Sequence, residues 1–411
     1  MEGEPDKPSS MFNLKMDPET AGKLVKRGGT LLLLDVPQFT LMGIDAQMFS
    51  VGPNFKGIKM IPPGPHFVYY SSSDKDGSEF SPVIGFFIVS GPSEVIVRKW
   101  HQQEERLVKL SEDEENRYGE AVKNLEFDHQ LGPYPLEHYG EWKRLSNYLS
   151  KEIIKRIEPI GGDISIACEA ELFESCPKTT MEKRLVEQLK HSKFSTRSKP
   201  IEKPNKRGSY YTIIPNIVKQ KGISGEELTS MNLDKTQLLE TILTKNFGGE
   251  EDLILGELQF AFIAFLMGQS LQAFLQWKTL VSLLFSCTVA PLRTRSQLFT
   301  KFIKVIYYQI KFGFHKEHEK PIGSEKGRSV FLEESWLSDD IFLRHLCKEY
   351  FSLVLEATVV DGDLLSWTRK LKEQLETTLG WNFGNTTAGD IYEEDDEFAP
   401  VVEIAEDMME E

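Results

Sequence analysis

The chain has 411 residues, 40% hydrophobic and 27% charged, with 26 Phe, 12 Tyr and 6 Trp. That composition buries sizeable cores and excludes a wholly disordered, collagen-like or low-complexity protein. The formal charge of −15 is concentrated: residues 384–411 hold 11 acids and no Lys or Arg, leaving 48 Lys/Arg against 52 Asp/Glu elsewhere.

The N-terminal fifteen residues read as a polar leader, and the opening MEGEPDKPSS has no apolar core. No secretory signal is therefore expected, which points to a reducing compartment, cytoplasm and nucleus. From Thr30 the texture is that of strands: TLLLLDV, GIKMI, HFVYY, VIGFFIV and EVIVRKW. Each is a short run of β-branched and aromatic residues, most of them bounded by Gly or Pro turns. Pro62-Pro63-Gly64-Pro65 cannot lie inside a helix or a central strand, so it connects two strands. Such spacing predicts an antiparallel, sandwich- or barrel-like domain over residues 16–160 rather than a doubly wound sheet.

After Trp100 the pattern turns helical. A charged stretch from Glu112 to Phe127 precedes the turn LGPYP at Leu131 to Pro135. Trp142, Leu145, Leu149, Ile153 and Ile157 then recur at three- and four-residue intervals, which predicts one helix ended by Pro159-Ile-Gly-Gly. Residues 161–225 read as an irregular basic linker: between Pro177 and Gly222 stand 12 Lys/Arg against Glu182, Glu187 and Glu202. SYYTIIP is its one strand-like island.

Residues 226–383 read as an α-helical, bundle-like domain. Leu239, Ile242, Leu243 and Phe247 line a first helix closed by Gly248-Gly249. Leu255 to Met267 is apolar nearly all round, as in a helix surrounded by others. Its longest uninterrupted apolar run, Phe260 to Met267, is well short of the ~20 residues that cross a bilayer, so no membrane partner is expected. Gly268-Gln-Ser270 breaks it, with Ser270 as N-cap of the next helix. Phe299, Phe302, Ile303, Ile306 and Ile310 continue the helical rule. A polar loop follows at 315–329, then helices over Ile341–Val359 and Leu364–Leu379. No fixed repeat period joins these segments. An acidic tail, 384–411, ends the chain.

The signatures of common chemistries are missing. There is no GxxxxGK with a following Ser or Thr, no GxGxxG after a strand, no HExxH and no GxSxG. Cys168, Cys176, Cys287 and Cys347 form neither a CxxC pair nor a zinc pattern, and His315 with His318 lacks the acidic partner of a metal site. Asp361-Gly-Asp363 lacks the remaining ligands of a calcium loop and reads as a turn capping the next helix. No cofactor, metal or catalytic residue is expected. Dispersed carboxylates leave a hydrolase open. The basic linker with Phe194, Tyr210 and Tyr211 leaves an RNA-binding accessory protein open as the alternative, although no RRM, KH or zinc module organises those residues.

Several blocks carry a resemblance. One set is GID at Gly43 to Asp45, VGPNFKGIKMIPPGPHFVYYSS from Val51 to Ser72, GFF at Gly85 to Phe87 and LGPYP at Leu131. A second is LGELQFAFIAFLMG from Leu255 to Gly268, then AFLQWK from Ala273. With MDPE at Met16 and FAPVVEI at Phe398, they closely resemble the AAR-two splicing-factor family. The resemblance implies an α+β protein with a mostly β N-terminal and an α-helical C-terminal domain. It also implies a non-enzymatic assembly factor of the U5 small nuclear ribonucleoprotein (snRNP). Such a factor binds the large central spliceosomal scaffold protein at its RNase H-like and Jab1/MPN domains, and keeps the U5 helicase from binding early.

Two sets of site residues follow. Phe398, Pro400, Val401, Val402 and Ile404 form a β-branched island between acidic blocks, suited to adding a strand to a partner's sheet edge. Ser111, before Glu112-Asp113-Glu114, and Ser195, Thr196 and Ser198, among Lys193, Arg197 and Lys199, are candidate phosphorylation sites.

Overall fold

The computed structural model describes Gly22 and residues 27–73, 80–169, 208–215, 222–314 and 341–383. Among the described residues nine strands build two sheets. They are β1 (Gly29–Leu34), β2 (Leu41–Ile44), β3 (Gln47–Ser50), β4 (Gly57–Ile61), β5 (Gly64–Ser71), β6 (Ile84–Ser90), β7 (Val95–His101), β8 (Arg106–Val108) and β9 (Leu131–Pro133). One sheet has the order β8-β7-β1-β4-β9, the other β3-β2-β5-β6. The four-stranded sheet is antiparallel throughout. The five-stranded one is mixed, with β1 parallel to β7 and β4 parallel to β9. The arrangement is an open sandwich with no closed barrel among the described residues.

Burial on both faces explains the continuous apolar runs. In β1, Leu31 and Leu33 point between the sheets, whereas Leu32 and Leu34 lie under helix α1 (Glu112–Lys123) with Val97, Val122 and Leu131. In β5, Val68 and Tyr70 face the sandwich core, while Phe67 and Tyr69 enter the core of the helical half. A strand covered on one side would alternate with polar residues; these two have no solvent face. The GID and GFF glycines make room for the aromatics of β5. A methyl group at Gly43 would stand 2.2 Å from the Tyr69 ring, and one at Gly85 would stand 2.3 Å from Phe67.

The apolar face from Trp142 to Ile157 is divided between two helices, α2 (Tyr139–Leu145) and α3 (Lys151–Ile157), instead of one. Ser150 supplies the break: it is the N-cap of α3, and its side chain accepts from the Ile153 N–H. Trp142, Leu145, Leu149, Ile153 and Ile157 are all buried nonetheless, so the periodicity named the right residues with the wrong connectivity.

Two stretches of the expected linker are packed. Ile164 pairs with Gly85 along the outer edge of β6, before the short α4 (Ile166–Glu169). Tyr210 donates its N–H to the Ile157 carbonyl at 2.8 Å. The helical half then runs through α5 (Gly225–Leu233), α6 (Thr236–Phe247), α7 (Glu251–Leu266), α8 (Leu271–Phe285), a π-turn at Ala290–Thr294, α9 (Ser296–Gly313), α10 (Ile341–Leu355) and α11 (Gly362–Leu379). Its capping follows the sequence reading: Gly248 closes α6, Ser270 caps α8, and Asp361 accepts from the Asp363 and Leu364 N–H groups at the start of α11. From Ile254 to Leu266, α7 is buried on every side.

Candidate functional site

Three of the motif blocks converge on one buried cluster. GID places Asp45 in the β2–β3 hairpin, the Pro62–His66 turn brings His66 onto β5, and LGPYP supplies Tyr134. The Tyr134 hydroxyl donates to Asp45 Oδ2 at 2.6 Å, and the Phe67 N–H donates to Asp45 Oδ1 at 2.9 Å. His66 Nδ1 donates to Asp45 Oδ2 at 2.6 Å, and Nε2 donates to the Pro62 carbonyl at 2.7 Å. A carbonyl can only accept, so Nε2 carries a proton, and the carboxylate holds the one on Nδ1. Burial draws the His66 pKa down, but the charge of Asp45, its hydrogen bond and the Pro62 carbonyl outweigh burial and raise it above the ordinary histidine value. Burial, then Asp45, pushes the Tyr134 phenol far above its normal range. Trp142 stacks near the imidazole, with ring centroids 6.3 Å apart, and donates its indole N–H to the Pro65 carbonyl at 2.9 Å.

This assembly resembles a catalytic dyad only in composition. Both ring nitrogens are engaged and His66 is 0% exposed, so the imidazole has no position left for a substrate proton. Its work is to clamp the Pro-rich turn, the hairpin and α2 together.

The second block makes the joint with the helices. Inside the apolar α7, Glu257 accepts from the Thr212 N–H and hydroxyl and from Gln276, each at 2.8 Å. Arg156 of α3 reaches the Thr212 hydroxyl at 2.8 Å. Gln259 accepts from the Tyr148 N–H at 2.8 Å and donates to the Asn147 side chain at 2.7 Å. Glu169 accepts from the Ser270 hydroxyl and, at 3.0 Å, from the Gln272 N–H at the start of α8. Burial pushes the carboxyl of Glu257 up and that of Glu169 to about 7, against the opposing pull of their donors. The sequence reading gave Glu257 and Gln259 no role, since both fall in the helix it describes as apolar nearly all round. Polar side chains amid a helix apolar all round were themselves the signal, because burial demands a partner for each.

Of the sequence-derived site residues, Ser111 is the one the structure describes. It caps α1, donating its hydroxyl to Glu114 at 2.7 Å while its N–H meets the same carboxylate at 3.3 Å. Ser195, Thr196, Ser198 and the tail residues Phe398, Pro400, Val401, Val402 and Ile404 lie outside the described residues, as do Phe194 and the loop 315–329. Tyr210 is exposed, but Tyr211 packs edge-on to Phe260 at 6.0 Å, so it is not a free stacking surface for a base. Among the described residues no group of His, Cys, Asp and Glu could hold a metal ion, and no helix is long and apolar enough to cross a membrane.

These features define an α+β protein in which a sandwich is locked onto a helical stack by the side chains of its motif blocks. The chain belongs to the AAR2 family. The model of the AAR2 N-terminal domain matches residues 27–159, and that of the AAR2 C-terminal repeat region matches residues 211–384. The Protein AAR2 homolog of Macaca fascicularis is 31% identical over 382 residues, 91% of this chain and 94% of its own length. That of Homo sapiens is 30% identical over 383 residues, with the same shares. The A1 cistron-splicing factor AAR2 of Saccharomyces cerevisiae is 23% identical over 288 residues, 69% of this chain and 76% of its own.

Proposed function

We propose that this chain is a non-enzymatic assembly factor of the U5 snRNP that acts in pre-mRNA splicing. It binds the large central scaffold protein at its RNase H-like and Jab1/MPN domains, delays the helicase, and works in cytoplasm and nucleus. The observation that carries this reading is likeness over nine-tenths of the chain to AAR2 proteins, the yeast member being named a splicing factor. In support, the charged side chains of the motif blocks are committed to joining layers, which suits a rigid body presenting surface to a partner. Affinity purification of the tagged chain with mass spectrometry tests it. Recovery of the U5 scaffold without the helicase is the expected result; helicase in equal amount, or no scaffold, would overturn it.

Within this reading the tail strand Phe398–Ile404 adds to a sheet edge of the scaffold. Deleting residues 384–411 then weakens scaffold binding about tenfold or more, roughly 1.4 kcal/mol, and leaves the melting temperature nearly unchanged. Equal binding by the shortened chain would remove the tail from the interface. Phosphate at Ser195, Thr196 or Ser198 re-pairs the basic side chains around it, and phosphate at Ser111 meets the acids of the first turn of α1. Either change promotes release. Phosphomimetic substitutions at all four positions that leave scaffold affinity untouched would refute this regulation.

A further inference from the structure

Helices α9 and α11 pack side by side, and α2 lies against α9. Where they meet, Arg144, Lys304, Tyr307, Tyr308, Trp367 and Lys370 share one surface. Trp367 is its hub. The rings of Tyr307 and Tyr308 approach it at 5.6 and 6.2 Å, and Lys304 and Lys370 stand over it at 5.1 and 4.5 Å. Arg144 lies over Tyr308 at 5.2 Å. The two ammonium groups are therefore within about 10 Å of each other, one Debye length at 0.1 M salt.

Two other lysines of these same helices are paired with carboxylates. Lys301 pairs with Asp252 at 2.6 Å and Lys372 with Glu376 at 3.9 Å. For Arg144, Lys304 and Lys370 no carboxylate among the described residues lies within ion-pair distance. The ring quadrupoles hold the three cations together. An anion from outside this surface would relieve their mutual repulsion.

A single-stranded nucleic acid would stack its bases on open rings. Here Lys304, Lys370 and both tyrosines already crowd Trp367. Carboxylates need the cations and no ring face, so the geometry favours an acidic peptide.

We propose that this surface is the docking site of the chain's own acidic segment, residues 390–397. Asp390, Glu393, Glu394, Asp395, Asp396 and Glu397 fall there within eight residues that include no Lys or Arg. The extended reach of the tether exceeds the length of helix it would retrace. Trp367 lies twelve residues before Leu379, the end of α11, or about 18 Å along its axis. The described chain continues to Phe383, whose ring packs 5.0 Å from that of Phe351. The seven residues from Gly384 to Asp390 extend up to about 23 Å. Docked this way, the acidic segment masks the cations until a competing polyanion or partner displaces it. The docking stands whether or not the scaffold is that partner.

Zero-length carbodiimide cross-linking of the full-length chain, mapped by mass spectrometry on the monomer band, tests the contact. Tail carboxylates should join Lys304 and Lys370 about fivefold more than Lys123 and Lys245, and the excess should vanish at 0.5 M salt. Tail cross-links spread evenly over the lysines, or absent from these two, would overturn the proposal. A second arm uses a fluorescent twelve-nucleotide single-stranded RNA. Changing the six acids to their amides should raise its affinity about fivefold, and Lys304→Gln with Lys370→Gln should abolish that gain. RNA binding through these lysines that ignores the tail substitutions would make RNA the occupant and reject the tail.

Discussion

The cluster around Asp45 sets a buried histidine against a buried carboxyl, whereas the joint around Glu257 and Glu169 surrounds its carboxyls with hydroxyl, amide and backbone donors. In the first, a buried imidazolium faces a buried carboxylate and each polar atom has a fixed partner. In the second, carboxyls meet only neutral donors or a shared guanidinium, and burial raises their pKa values. An ion pair is intolerant of losing one member, because the survivor is a buried uncompensated charge. A hydrogen-bonded carboxyl tolerates replacement by an isosteric amide far better. The β half and its joint with the helices are thus held by polar contacts of similar length and unequal fragility.

The largest expected effect breaks the ion pair. Asp45→Ala strands His66, the Tyr134 hydroxyl and the Phe67 N–H, and should cost about 3–5 kcal/mol in urea unfolding. Glu257→Gln should cost about 1 kcal/mol or less. Equal costs would erase the distinction. The wild-type pair also has a signed pH dependence. Because the folded His66 pKa is raised, its contribution is complete below the unfolded value of 6.5 and fades as pH rises through the folded value.

Glu169 sharpens the comparison next. Its folded pKa of about 7 lies above the ordinary 4.5, so the folded state keeps a proton that the unfolded chain has released. Stability therefore falls by about 3 kcal/mol as pH rises across that window. Glu169→Gln should remove this slope between pH 5 and 7, read from urea midpoints at several pH values. A slope unchanged by the substitution would assign it elsewhere.

Steric substitutions come third. Gly43→Ala and Gly85→Ala drive a methyl group into Tyr69 and Phe67, at an expected 1–3 kcal/mol each. The smallest effect is at the surface: Ser111→Ala removes the α1 cap and should cost about 0.5–1 kcal/mol by thermal unfolding.

Much of this was legible beforehand, and the failures have physical reasons. The runs forming β1, β4, β5, β6 and β7 stood out because they are apolar and bounded by turns. β2 and β3 span four residues each, joined by Asp45-Ala46 without a turn signature, and passed unnoticed. The break between α2 and α3 was hidden because burial keeps the apolar spacing regular across Ser150. Asp45, His66, Pro62 and Tyr134 all lay in motifs singled out from the sequence. Their convergence is a property of sheet order, and no periodicity encodes which strands become neighbours. The Glu257 and Gln259 contacts were missed because Thr212 lies in a segment that read as linker, while Asn147 and Tyr148 lie at a helix break that read as continuous helix.

The two-sided burial of β5 also sets a timetable for synthesis. Phe67, Tyr69 and Phe87 belong to a core to which α7 contributes Phe260, 4.5 Å from Phe87 between ring centroids. Phe260 follows Phe87 by 173 positions in the chain. At ribosomal rates of about 5–20 residues per second, Phe87 waits roughly 9–35 s for this cover. During that interval the nascent chain displays an aromatic sheet surface, and early termination anywhere before α7 leaves it displayed for good. Truncated products of this gene are therefore expected to be strong clients of chaperones that capture exposed aromatic surface, while the completed chain is not.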